Sequence, residues 1–390
     1  MSNRFLASGA YGCVYNPSYD CDGREIDNAT TVTKLVKNNL TSQEEIKIGK
    51  VLRKYPNDFI LVSKSCKISN DRLKQSTMIP RCDLFKRNAD ITQNYILLYS
   101  KYVKSIEFID YLEKTYPSKN EVIKMFLLIC KKVHILSLNN IIHHDLHFGN
   151  ILVDGDKNLF VIDFGLSIMY KKINDYLYFF NQIKKKTIVE KNLQKLQNIK
   201  SYITRCIFPF TPTWKYWSLE YQFMCFVYYE QEYLTKESVK YVIDEYIDNN
   251  SIIQKIGKSF VDNYKVTANE FFSIYVDNPA FTTKYDILID LFKYWYTWDY
   301  YKVALHYIEI YNDIHLNSID FYLLLLLFIN PNPKYRPSLH QYDIYIDIFK
   351  KHYNSTSLHM SINKISPKIY RNLAISIKTL IKKKVNKIEL

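Results

Sequence analysis

The stretch IIHHDLHFGNILVDGDKNLFVIDFG, residues 141–165, decides how this chain is read. It sets Asp145, then Asn150 five residues on, then Asp163 directly after the β-like run Phe160 to Ile162. Phosphoryl transfer calls for such a set. One carboxylate takes or orients the proton of an attacking hydroxyl, while an Asn and a second carboxylate hold metal ions on the phosphates. Two short apolar runs, Ile151–Val153 and Leu159–Ile162, flank Asp154-Gly155-Asp156-Lys157-Asn158. Turn chemistry between two such runs predicts a β-hairpin. A hairpin of that length brings Asp163 back toward Asn150, so that one metal site can draw on both.

At these residues HHDLHFGN resembles the protein-kinase catalytic loop H-R-D-L-x-x-x-N, and VIDFG resembles the metal-binding D-F-G element. The resemblance implies an α+β, bilobal protein-kinase-like fold, with a small β-rich N-lobe, a large mainly α-helical C-lobe and ATP between them. It makes Asp145 the catalytic base, Asn150 and Asp163 the Mg2+ ligands, and His143 the structural His of the loop. Two positions depart from the pattern. His144 replaces the Arg that often meets a phosphorylated activation loop, which implies activity independent of that modification. His147 replaces the Lys typical of serine/threonine kinases. Loops of the form HxDLHxxN also occur in kinases of aminoglycosides and choline, so the acceptor class stays open here. The three His residues also suggest a metal cluster, but no Cys or Glu stands at zinc spacing beside them.

Upstream, RFLASGAYGCVYN (residues 4–16) reads as strand, tight turn, strand. Gly9 and Gly12 let backbone fold close over a phosphate. Leu6, Ala7, Ser8, Gly9, Ala10, Tyr11, Gly12, Cys13 and Val14 match a kinase Gly-rich loop whose first Gly is Ala7. Thr30 to Val36 is β-branched and strand-like. Lys34 lies in it, where the resemblance places the Lys that binds nucleotide phosphates and pairs with a helix Glu. Thr41 to Lys54 is expected to be a helix capped by Thr41 or Ser42, each with a Glu three residues on. Glu45 is the expected partner of Lys34, with Glu44 as the alternative. Phe59–Ser69 and Tyr95–Val103 are further strands. The second resembles the hinge between kinase lobes, followed by a helical pattern from Ile106 to Lys114. Ser118 to Asn139 is a helix with Ser118 and Glu121 at its start. Val122, Phe126, Ile129, Val133 and Leu136 recur on one face of it.

Downstream, residues 168–211 read as a Lys-rich insertion of one or two amphipathic helices, a solvated face or a partner dock. Pro212 to Glu220 resembles an A-P-E element with Glu220 in the Glu role, and residues 221–298 read as a second, aromatic insertion. Trp298 to Ala304 resembles the start of the central large-lobe helix. Asn332 to Ser338 resembles D-P-x-x-R-P-S, whose Arg, here Arg336, pairs with that Glu. The expected organisation is a kinase domain over 1–340, divided into an N-lobe 1–103 and a C-lobe 104–340, and a basic helical extension over 341–390.

The 390 residues are 47% apolar and 24% charged, as in globular proteins. The net charge of +14 is accompanied by no nucleic-acid motif. The resemblance to protein kinases implies a protein substrate as the partner. Seven Cys without framework spacing are expected to be free thiols in a reducing compartment. The start shows no signal-peptide core. The longest apolar run, Phe321 to Ile329, falls short of the ~20 residues that span a bilayer. Cytoplasmic location is expected. The biased composition, the insertions and the HxDLHxxN loop together resemble serine/threonine-protein kinases of giant DNA viruses, which would place the chain in host cytoplasm or virion.

Overall fold

The computed structural model describes residues 4–9, 12–26, 30–86, 93–230, 234–276, 278–311 and 319–337. Ala10, Tyr11, Ser338 and the whole 341–390 extension lie outside the described residues, and for Ala7, Ser8 and Gly9 only the backbone is described. The chain divides into two compact units, residues 1–115 with 143–169, and residues 116–142 with 170–390. The N-terminal region is built on β-sheet and the larger C-terminal part is mostly helical, as a kinase-like α+β chain requires.

In the first unit, β1 (Arg4–Gly9) and β2 (Gly12–Asn16) form an antiparallel hairpin in which Gly9 faces Gly12. A small pair follows, β3 (Ser18–Tyr19) with β4 (Glu25–Ile26). Next come β5 (Thr31–Lys37), α1 (Leu40–Leu52), β6 (Val62–Ile68), the short α2 (Asn70–Gln75) and α3 (Asp83–Lys86), and β7 (Tyr95–Lys101). The sheet order is β1-β2-β5-β7-β6, antiparallel throughout. Period-two alternation sorts its side chains. Leu35 and Leu97 pack with Cys13, Tyr15 and Tyr95 in one cluster. Val36, Ile96 and Leu98 pack with Val62 and Ile46 in another.

Helix α1 is capped by Asn39, whose side-chain oxygen accepts from the Thr41 and Ser42 N–H groups. This corrects the expectation that Thr41 or Ser42 caps it. Asn is among the strongest caps, and the helix begins one residue earlier than read. Gly49 has no room for a side chain, because a Cβ there would stand 2.7 Å from the Val62 carbonyl oxygen. Helix and strand therefore approach closely at that point.

β8 (Ser105–Glu107) precedes α4 (Phe108–Thr115), so Ile106 lies in a strand where a helix start was expected. Its register explains this: Ile106 pairs with Val153 across an antiparallel ladder. In the second unit the chain continues with α5 (Lys119–Leu138) and β9 (Ile141–Ile142). The first unit is completed by β10 (Ile151–Asp154), β11 (Leu159–Val161) and β12 (Ile168–Met169). β10 and β11 form the expected hairpin, Ile151 opposite Val161.

Four of the seven Cys are joined as Cys13–Cys82 and Cys21–Cys66, with Cα separations of 5.7 and 5.9 Å. This overturns the expectation of free thiols throughout. Partners 69 and 45 residues apart are brought together by sheet packing, which no local spacing reveals. Inference of a reducing compartment loses the support it took from these residues.

The rest of the second unit is helical: α6 (Tyr170–Lys184), α7 (Leu193–Cys206), α8 (Leu219–Tyr229), α9 (Lys236–Asp248), α10 (Ser251–Ile256), α11 (Lys258–Phe272), α12 (Lys284–Phe292), α13 (Trp298–Ile310) and α14 (Ile319–Phe328). The 168–211 segment thus holds two helices. Val122, Phe126, Ile129, Val133 and Leu136 of α5 are all buried. Phe126 meets Tyr307 and Phe321 edge-on at 5.0 and 5.1 Å. Buried tyrosines need partners for their hydroxyls. Tyr301 of α13 meets Tyr246 at 2.7 Å and Tyr264 at 3.0 Å. Arg336 and Glu220, both wholly buried, form a bidentate ion pair in which Arg336 Nη2 donates to Glu220 Oε2 at 2.9 Å and Nη1 to Oε1. Arg336 also donates to the Asn330 carbonyl and the Thr297 hydroxyl. Among the described residues no helix is long and apolar enough to cross a membrane.

Candidate active site

The site is assembled within the first unit. Lys34 points from β5 on the face opposite Leu35, toward α1 and its Glu45. Its Nζ lies 3.1 and 3.3 Å from the two Glu45 carboxylate oxygens and 2.7 Å from Asp163 Oδ1. Glu44 is turned away and pairs with Lys47 at 2.8 Å. Both carboxylates are buried, but consecutive helix positions face different directions, and Glu45 shares its face with Ile48 and Leu52.

Burial works against the Lys34 charge, but Glu45 and Asp163 outweigh it and hold the ammonium above its ordinary range. For Asp163, desolvation alone would raise the carboxyl. The Lys34 ammonium and the Gly165 N–H overcome that and hold it below the usual carboxylate range. Asp163 Oδ1 accepts from both groups, while Oδ2 makes no hydrogen bond or ion pair among the described residues. Asp163 also adopts left-handed backbone, φ 58°, as does His144 at 66°. Such backbone in non-glycine residues costs on the order of 1–3 kcal/mol and gathers at functional sites.

The loop before β10 is tied together by its own polar groups. Asn150 Nδ2 donates to the Asp145 carbonyl at 2.8 Å and lies 3.4 Å from Asp145 Oδ2. That engages the amide nitrogen and leaves the Asn150 side-chain oxygen for a cation. His143 Nε2 meets the Ile162 carbonyl at 2.9 Å, and the Ser167 hydroxyl donates to the His143 carbonyl at 3.0 Å. Phe164 is buried edge-on against Phe59 at 5.8 Å. His147 Nδ1 accepts from the Gly149 N–H at 3.1 Å, so its protonated Nε2 faces Asp145 Oδ2, 4.0 Å away.

The Gly-rich segment has a second reason for its glycine. A Cβ on Gly12 would stand 2.6 Å from both the Leu35 carbonyl oxygen and Val36 Cγ1, so β2 and β5 close only over a bare backbone. Leu6 is 42% exposed. Val14 pairs with Lys34 across the ladder. Cys13 is wholly buried in its disulfide, which leaves only its backbone for any ligand over this hairpin.

The residues suit the cofactors of a kinase-like site. Mg2+ keeps to oxygen donors, one or two carboxylates together with substrate phosphates. An Asn oxygen and a free carboxylate oxygen are such donors. Sequence reasoning did not find the direct Lys34–Asp163 pair or the disulfide behind Cys13. The first links residues 129 positions apart, and nothing in either local pattern announces the contact.

Comparisons with known proteins support a kinase-like superfamily. The sequence model of the ABC1 atypical kinase-like domain matches residues 86–199. A probable serine/threonine-protein kinase KIN1 homolog of Enterocytozoon bieneusi is 33% identical over 26% of this chain and 18% of its own length. NUAK family SNF1-like kinase 1 of Mus musculus is 36% identical over 20% of this chain and 12% of its own. An Arabidopsis thaliana SNF1-related protein kinase catalytic subunit alpha KIN12 is 39% identical over 20% and 16%. The chain thus spans less than a fifth of these relatives' lengths. A kinase-like domain implies, in general terms, use of ATP and a divalent metal.

Proposed function

We propose that the chain is a protein kinase that transfers the terminal phosphoryl group of ATP to hydroxyl groups of protein substrates, serine and threonine foremost. The observation that carries this is the Lys34 ammonium held between Glu45 and Asp163. Kinases need that Lys–Glu pair and the D-F-G carboxylate together. The protein-kinase relatives add support, although each covers a short segment.

In this reading Lys34, held by Glu45, binds the nucleotide phosphates. The hairpin from Leu6 to Val14 covers them. Asn150 and Asp163 hold Mg2+, which when bound neutralises phosphate charge. Asp145, oriented by Asn150, receives or orients the proton of the acceptor hydroxyl. Positioning and electrostatics supply most of the rate. Residues 1–340 form the kinase domain, and 341–390 a basic extension. The likeness to kinases of giant DNA viruses rests on composition, insertions and loop sequence alone.

One observation favours a small-molecule acceptor. Helix α6 begins at Tyr170, five residues after Gly165, where a protein kinase carries an extended activation loop. Transfer from labelled ATP with Mg2+ to a basic acceptor protein, and in parallel to a panel of small alcohols and sugars, decides between them. Wild type should label the protein on Ser or Thr, and Asp145→Asn should label nothing. Labelling only of small acceptors establishes the second reading. No transfer with intact nucleotide binding defeats both and leaves a scaffold.

A further inference from the structure

The chain's positive charge is not spread evenly. Residues 170–206 carry nine Lys and Arg against two Asp and Glu, half of the formal net charge of +14. The other half lies in residues 341–390, with ten against three, and the remainder of the chain is neutral overall. Within 170–206, Lys185 is paired with Asp286 and Lys195 with Glu190. Lys184, Lys186, Lys191 and Lys200 are exposed and make no ion pair among the described residues.

Lys200 lines an open groove of about 420 Å³ together with Phe180, Leu193, Gln194, Leu196 and Gln197, and Lys191 lies two residues before Leu193 in the chain. Helix α7 buries one stripe, Ile199, Tyr202, Ile203 and Cys206. Leu193, Leu196 and Lys200 follow the i, i+3, i+7 spacing of a second stripe, and Leu193 is 78% exposed. An amphipathic helix needs only one apolar stripe to dock on its own core. The platform is also held firmly. Asn181 of α6 and Lys185 directly after it both donate to Asp286 at the start of α12, each at 2.7 Å.

We infer that the α6–α7 groove docks an acidic segment of a partner protein, an amphipathic helix with apolar residues at i, i+3 and i+7. The basic 170–206 segment that carries the groove selects acidic charge and steers its approach. The aliphatic floor takes its apolar side chains in the manner of helix-in-groove recognition. Neither of two other occupants fits. The chain's own 341–390 segment is basic and would be repelled. A nucleic acid gains from free aromatic faces on which bases stack, whereas the one ring in the groove, Phe180, is already stacked on Tyr285 at 5.7 Å. The inference does not depend on phosphoryl transfer.

Fluorescence anisotropy of the full chain with labelled acidic helical peptides tests this. The panel carries Leu or Phe at i, i+3 and i+7, beside versions with Ser at those positions. Single-stranded oligonucleotides and vesicles containing phosphatidylserine serve as the other polyanions. Expected results are binding only of peptides with apolar anchors and roughly tenfold weakening by Leu196→Ser, about 1.4 kcal/mol. Lys184→Gln with Lys186→Gln and Lys191→Gln should flatten the salt dependence. Leu196 is half-buried and the three lysines are exposed, and unchanged thermal unfolding shows that both variants fold. Equal binding of Ser-substituted peptides, oligonucleotides or vesicles, or no peptide binding at all, overturns the inference.

Discussion

An ammonium whose side chain keeps only 15% of its exposure needs carboxylates around it, and Lys34 has two. The signs of the shifts fix how the cluster responds to pH. The Asp163 carboxyl is depressed, so its contribution to stability is complete above its unfolded value of about 3.9 and is lost as pH falls through the lower folded value. Lys34 is raised, so its contribution is complete below about 10.4 and is lost only above its folded value. The gap in melting temperature between wild type and Lys34→Met should therefore stay level from about pH 5 to 9 and narrow below about pH 4. Melting curves across that range check this, and a gap that narrows near neutrality would contradict it. At this scale the sequence was most informative where the chemistry is contiguous. Asp145, Asn150 and Asp163 lie within nineteen consecutive residues, so their order alone suggests their roles. The Lys34–Asp163 contact was invisible because it depends on how sheet and hairpin lie within the first unit.

Among the elements, α1 shows how a strong propensity yields to packing. Replacing Gly49 by Ala favours the isolated helix by about 1 kcal/mol. The added Cβ would meet the Val62 backbone oxygen at 2.7 Å, and a backbone carbonyl in a sheet has little freedom to withdraw. Overpacking of about 1–3 kcal/mol prevails, so Gly49→Ala should lower stability in denaturant unfolding. It should also weaken nucleotide binding, because α1 carries Glu45. A more stable variant would show that helix and strand are not in close contact there. Strands, the α5 helix and the β10–β11 hairpin were legible because period-two and period-3.6 patterns are local. The Asn39 cap and the β8 strand were missed: the first lies two residues before the apparent helix, and the second exists only through pairing with β10.

For the whole molecule, the Glu220–Arg336 pair joins positions 116 residues apart inside the second unit. Burial disfavours the Arg336 charge, yet Glu220 keeps it raised above its ordinary range. Removing one partner strands the other in the interior. Arg336→Met alone should cost about 3–5 kcal/mol, and the double change Glu220→Leu with Arg336→Met clearly less. Guanidinium titrations of the three variants measure both. Equal losses for single and double variants would show that the pair is not coupled. Individual strand-like and helix-like stretches were legible, and the resemblance to kinases grouped them into a β-rich and a helical region. The disulfides were not, since Cys spacing holds no record of which strands become neighbours. Those two bridges are nested, Cys21–Cys66 within the span of Cys13–Cys82. A protease cut anywhere from Asp22 to Ser65 would leave the fragments fastened at two points, so nicked protein would run as one band until a reducing agent was added.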